Sequence, residues 1–148
     1  MRLGGARGPR PEEPGRYTLA GRENRPHPPT GDGEPFASFI NATEKFVVTS
    51  TPPEQEWAKT TVVTDGLADF VTELKQQSGG EIGVHGSISL AQSLLKAGLV
   101  DELRLTVAPA VQGHGRKPFD GWGPERLSLT RSITSQTGCL LLDYEINN

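Results

Sequence analysis

The sequence has little of what marks several large protein classes. It holds one cysteine, Cys139, in 148 residues, so no disulfide framework can form and a reducing cytoplasm suits it. No apolar run approaches the roughly 18 residues that span a bilayer. The N-terminus lacks the hydrophobic middle of a signal peptide. Neither sign of charge dominates: 15 Lys plus Arg against 18 Asp plus Glu give a formal net charge of -3, a field that does not favour polyanions such as nucleic acid. A cytoplasmic protein with a small-molecule partner, and with neither nucleic acid nor membrane, is the expectation.

Several reaction motifs are missing as well. There is no GxxxxGK[ST], which excludes a P-loop NTPase. There is no GxSxG nucleophile elbow, and no Ser, His and acid set accompanies the HGS at 85–87. His27, His85 and His114 are scattered, without HxxxH or CxxC spacing, so no metal site is expected.

What is present falls into two unlike parts. From Met1 to about Glu34 the chain holds six of its 12 prolines and seven of its 18 glycines, with Arg2, Arg7, Arg10, Arg16, Arg22 and Arg25 among them. Glycine raises the entropy cost of ordering and proline removes backbone donors, so residues 1–34 are expected to form a disordered or irregular tail. Residues 35–148 have the regular pattern of a folded domain.

In that domain Phe36, Phe39 and Ile40 have helical spacing, KFVVTS reads as a strand, TPPEQEW as a proline-marked loop and TTVVT as a second strand. DGLADFVTELKQQSGG places Leu67, Phe70, Val71 and Leu74 on one helical face. EIGVHG is a strand, SISLAQSLLKAG a helix capped by serine, and DELRLTVAP a strand with Leu103, Leu105 and Val107 facing one way. LSLTRSITSQTGCLLLDYEI reads as two strands turning at Thr137 and Gly138, with Cys139 as a core thiol. This alternation argues for an α/β fold, a sheet flanked by helices with an antiparallel hairpin at its C-terminal end.

Ligands of open α/β sheets bind beyond the carboxyl ends of the strands, where helix N-termini present free amides. Two such ends are candidates. At Gly86, Ser87, Ile88 and Ser89, glycine permits close backbone approach and the serine hydroxyls can add donors to an anion; a plain turn and N-cap is the alternative. At Thr49, Ser50 and Thr51 three hydroxyls follow a strand, in a pattern that ordinary turn chemistry also produces. A third candidate, the loop Gly113 to Lys117, carries two cations and reads equally as a solvated loop.

The residues at 80–121, GEIGVHGSISLAQSLLKAGLVDELRLTVAPAVQGHGRKPFDG, together with FASFINATEKFVVTST at 36–51, resemble the dihydrofolate reductase-like superfamily, in the branch of the reductase domain of bacterial riboflavin-biosynthesis enzymes. The resemblance implies a mixed, mostly parallel sheet, NADPH as cofactor, and hydride transfer to a pterin, aminopyrimidine or related heterocycle, of the 5-amino-6-(5-phosphoribosylamino)uracil reductase or dihydrofolate reductase type. It implies that Gly86, Ser87 and Ile88 approach the pyrophosphate and nicotinamide side and Thr49, Ser50 and Thr51 the adenosine end. Catalytic residues are not assigned, and a homodimer is open. In the riboflavin branch an acidic residue often precedes the glycine turn, where this chain has His85. The family's opening strand and SLDG-like loop are not found; GRYT at 15–18 echoes a GRxTY that opens a helix in relatives. The domain is therefore expected to be incomplete, from a reading frame that starts late or is shifted before about Glu34. The alternative function is a catalytically incomplete nucleotide-binding or interaction module.

Overall fold

The helical periodicities produce helices where expected, because each has one face to bury. The computed structural model describes residues 1–3, 17–21, 35–51 and 58–147. In chain order the elements are β1 (Arg2–Leu3), β2 (Tyr17–Gly21), α1 (Pro35–Ala42), β3 (Glu44–Val48), β4 (Thr60–Val63), α2 (Leu67–Gln76), β5 (Ile82–Val84), α3 (Ile88–Lys96), β6 (Glu102–Val107), β7 (Leu127–Thr134) and β8 (Leu140–Ile146). Most of the TPPEQEW loop lies outside the described residues.

The strands form one 8-stranded sheet in the order β4-β3-β2-β5-β1-β6-β8-β7. β2, β3, β4, β5, β6 and β7 run in one sense and β1 and β8 in the other, so the sheet is mixed, with three parallel and four antiparallel pairings among the described residues. β7 and β8 are the expected antiparallel hairpin, interrupted by a bulge between Leu129 and Arg131 where Thr130 Oγ1 donates to the carbonyl of Asp143. Cys139 is half-buried beside this hairpin's turn, not in the core.

α2 and α3 cover one face. Val71 and Leu74 of α2 and Leu90, Leu94 and Leu95 of α3 pack with Leu3, Leu19, Ile82 and Val84 of the sheet. Leu94 and Val71 are fully buried, each burial worth about 1.5–3 kcal/mol. Phe46 and Phe70 meet edge to face at 5.0 Å, locking α2 onto β3. Lys75 at the end of α2 bonds Asp101 at 2.8 Å and the Leu99 carbonyl at 3.2 Å, holding the entry to β6. α1 is tied to the other side of β3. Lys45, one residue before Phe46 and pointing the opposite way, is 1% exposed and donates to the carbonyls of Ile40 at 2.9 Å and Thr43 at 2.7 Å.

The expectation of an irregular tail over residues 1–34 is corrected at two places. Tyr17–Gly21 is an interior strand paired in parallel with β3 and β5, and Leu3 and Leu19 are 0% exposed. Neighbours on both sides satisfy the β2 backbone, which outweighs the glycine and proline around it. Tyr17 and Thr18 accordingly begin a strand, rather than a helix as the GRYT echo suggested. Residues 4–16 and 22–34 lie outside the described residues.

Candidate functional site

The strand order creates one place where a ligand crevice can open. The chain leaves β2 toward β3 on one side and leaves β5 toward β6 on the other, while β2 and β5 lie side by side. Connections that depart in opposite directions from adjacent parallel strands open a crevice at their carboxyl ends. Here those ends are Gly21 and His85-Gly86. The residue pair Leu19 and Val84 is in register, and the His85 amide donates to the Leu19 carbonyl at 3.4 Å.

Both hydroxyl and glycine candidates come to this edge. β3 lies on the far side of β2, so Thr49 to Thr51 and Gly86 to Ser89 flank the crevice about two strand spacings, roughly 10 Å, apart. Gly86 has φ 72, a left-handed turn that glycine adopts without strain. Ser87 is 4% exposed and caps α3, its Oγ accepting from the Leu90 amide at 3.3 Å. Ser87 Oγ also lies 3.4 Å from Ser89 Oγ. The first amides of α3, those of Ile88 and Ser89, precede any intrahelical acceptor and are the donors an anion would meet. The arrangement therefore offers backbone donors first, with the Ser87 hydroxyl committed to the cap.

At the other end Thr49 is 7% exposed, and its hydroxyl closes a turn, donating to the Thr51 carbonyl at 2.8 Å and accepting the Thr51 amide at 3.2 Å. The Thr49 amide donates to Val63 of β4 at 3.1 Å. Ser50 and Thr51 are exposed beyond it. The donor set fits a dinucleotide: amides at a helix start for phosphates, hydroxyls across the crevice for a sugar or phosphate. The loop from Gly113 to Lys117 follows β6 and is separated from β5 by β1; Gln92 of α3 holds it by donating to the Lys117 carbonyl at 2.9 Å.

His85 is half-buried at the crevice, and burial, then the amino group of Met1 and Arg104, push its pKa below the ordinary 6.5. Arg104 bonds Glu102 at 2.6 Å and Glu81 at 3.2 Å. Burial opposes the Arg104 charge, and Glu102, Glu81 and Asp143 outweigh it and raise its pKa. Gly21, at the centre of the crevice, is the site residue that the sequence pattern misses, because β2 has no periodic signal of its own. A separate cleft of about 320 Å³ lies at the opposite end of α3, among Leu95, Lys96, Val100, Trp122, Glu125 and Ile146. Among the described residues no helix is long and apolar enough to cross a membrane, and no group of three His, Cys, Asp or Glu could hold a metal.

Comparison with known proteins bears on this geometry. The family model of the RibD C-terminal domain matches residues 7–141. The Bacillus subtilis (strain 168) protein YyaP is 28% identical over 110 residues, 74% of this chain and 58% of its own length, so the chain spans little more than half of that relative. Among solved structures, a putative riboflavin biosynthesis protein from Shewanella sp. PV-4 superposes with a TM-score of 0.67 at 18% identity, over 90% of this chain and 75% of the other. A pyrimidine reductase-like protein from Corynebacterium diphtheriae superposes with a TM-score of 0.62 at 16% identity, over 90% and 77%. With a family-model match over most of its length and a fold shared with these solved structures, the chain belongs to the RibD C-terminal domain family.

Proposed function

We propose that this chain is an NADPH-dependent reductase domain of the riboflavin-biosynthesis type, acting on a pterin, aminopyrimidine or related small heterocycle in a reducing cytoplasm. The observation that carries this reading is the pairing of Gly86–Ser89 with Thr49–Thr51 across the β2–β5 crevice of a RibD C-terminal domain. The pyrimidine reductase-like name of the Corynebacterium diphtheriae relative agrees with it. NADPH, when bound, supplies the hydride. The protein's part is placement. The Ile88 and Ser89 amides hold phosphate, Gly86 lets the backbone come close, and Ser50 and Thr51 reach the adenosine end. Val84, buried below the turn, and the α3 face keep water from the floor.

Titrating the purified chain with NADPH while following tryptophan emission tests the reading. Saturable quenching is expected, together with NADPH oxidation on adding an aminopyrimidine or pterin. Absence of any response at millimolar cofactor would defeat it. Binding without oxidation across such substrates would favour a nucleotide-binding module.

A further inference from the structure

The cleft at the C-terminal end of α3 is built from three separate pieces of chain and takes no part in the crevice at the other end of that helix. Its floor is apolar: Leu95 is 4%, Val100 1% and Ile146 8% exposed. One wall is the half-buried Trp122, packed on the core and tilted against the Phe119 ring at 5.9 Å. Gly98, Gly121 and Gly123 line the rest without side chains. A methyl group grown from Gly98 or Gly123 meets no atom within 4 Å, so at these two positions glycine leaves the space open rather than relieving a tight contact. Lys96 lies over Gly121, where a methyl group would come within 2.9 Å of Nζ. Two opposite charges line this space, Lys96 from α3 and Glu125 from the connection between β6 and β7. Both are exposed, and among the described residues neither takes an ion-pair or hydrogen-bond partner.

We propose that this cleft binds a free α-amino acid with an apolar side chain, its carboxylate on Lys96, its ammonium on Glu125 and its side chain on Val100, Ile146 and the Trp122 indole. A ligand with a single charge leaves one of the two rim groups unanswered or faces it with like sign. A zwitterion complements both, and an aliphatic or aromatic body suits the floor and the indole wall. The volume of about 320 Å³ stands at the lower end of small-molecule sites, which run to about 1,000 Å³, and suits a ligand of this size rather than a dinucleotide. α3 is nine residues long, so the cleft and the Gly86–Ser89 seat are about 13 Å apart, and the proposal stands independently of the cofactor reading.

Titration of the isotopically labelled full chain with L-leucine and L-phenylalanine, followed by amide NMR, locates and measures the binding. Saturable shifts at Lys96, Gly98, Gly121, Trp122 and Gly123 are expected, with half-saturation at about 1 mM or below. Phenylpropionate and phenethylamine, which each keep one of the two charges, should bind about tenfold more weakly than phenylalanine. Lys96→Met and Glu125→Gln, both at exposed positions, should each weaken binding by about three- to tenfold. Gly123→Leu grows a side chain into the open space and should abolish the shifts at Lys96 and Gly98, with thermal unfolding showing that the variant is folded. No saturable shift with either amino acid, shifts that fall elsewhere on the chain, or undiminished binding in folded Gly123→Leu overturns the site. Equal binding by the single-charge analogues, or undiminished binding in both Lys96→Met and Glu125→Gln, overturns the assignment to a zwitterion.

Discussion

Replacing Lys45 by Met tests the attachment of α1 to the sheet. Lys45 is 1% exposed, and its ammonium donates to two carbonyls, Ile40 at 2.9 Å and Thr43 at 2.7 Å. Methionine has similar length and no donor. The substitution strands both carbonyls where water enters poorly, at about 1–3 kcal/mol each. It also removes a buried charge, whose desolvation works against folding and returns part of that loss. The expected net effect of Lys45→Met is destabilisation by about 2–4 kcal/mol, read as a lowered urea midpoint with an unchanged slope. Burial, and secondarily Lys59, hold the Lys45 pKa below 10.5. Between that lowered value and 10.5 the unfolded chain binds more protons, so stability rises with pH there, and Lys45→Met should flatten that alkaline rise. A midpoint that stays put or increases would refute the claim that these carbonyls depend on Lys45.

Gly83→Ala should leave stability within about 1 kcal/mol, because only the far edge of the His85 ring is displaced. Its signature is the His85 NMR titration, expected to move up toward 6.5 as the ring is pushed into water; an unchanged titration would contradict the packing. Since the folded chain holds His85 below 6.5, the unfolded chain takes the proton first as pH falls. Thermal stability should therefore fall on acidification from 6.5 through the lowered value, and His85→Asn should remove that part of the slope. We also propose a homodimer through the apolar surface that β6, β8 and β7 share on the core side of the sheet, where Val107 is 46%, Leu140 39% and Leu129 54% exposed. Light scattering should show a dimer that Leu129→Lys with Leu140→Lys converts to monomer; a monomeric parent would end this idea.

Local pattern made α2, α3 and the hairpin legible, since each carries its period within a few residues. It failed at β2. Tyr17–Gly21 has one core side chain that the structure fixes, Leu19, and it becomes a strand only because Phe46 and Val84 flank it in register. That is a long-range fact, invisible in a window rich in glycine and proline. The two halves of the candidate site were readable as strand ends, but their common edge follows from β2 lying between β3 and β5. Lys45 was equally hidden. A lysine beside Glu44 at the start of a strand reads as solvated, and only the placement of α1 makes it a buried cap.

The bulge between Leu129 and Arg131 reaches beyond the hairpin that contains it. β7 is an outer strand, and such strands can recruit another chain by continuing the hydrogen-bond ladder. At the bulge the ladder loses its regular spacing, and Arg131 brings a charge to the same stretch. The opposite border, β4, spans just Thr60–Val63. With one rim kinked and the other brief, the sheet is a poor template for end-on growth into fibrils. Copies of this chain at high concentration should meet through their faces before they meet through their borders.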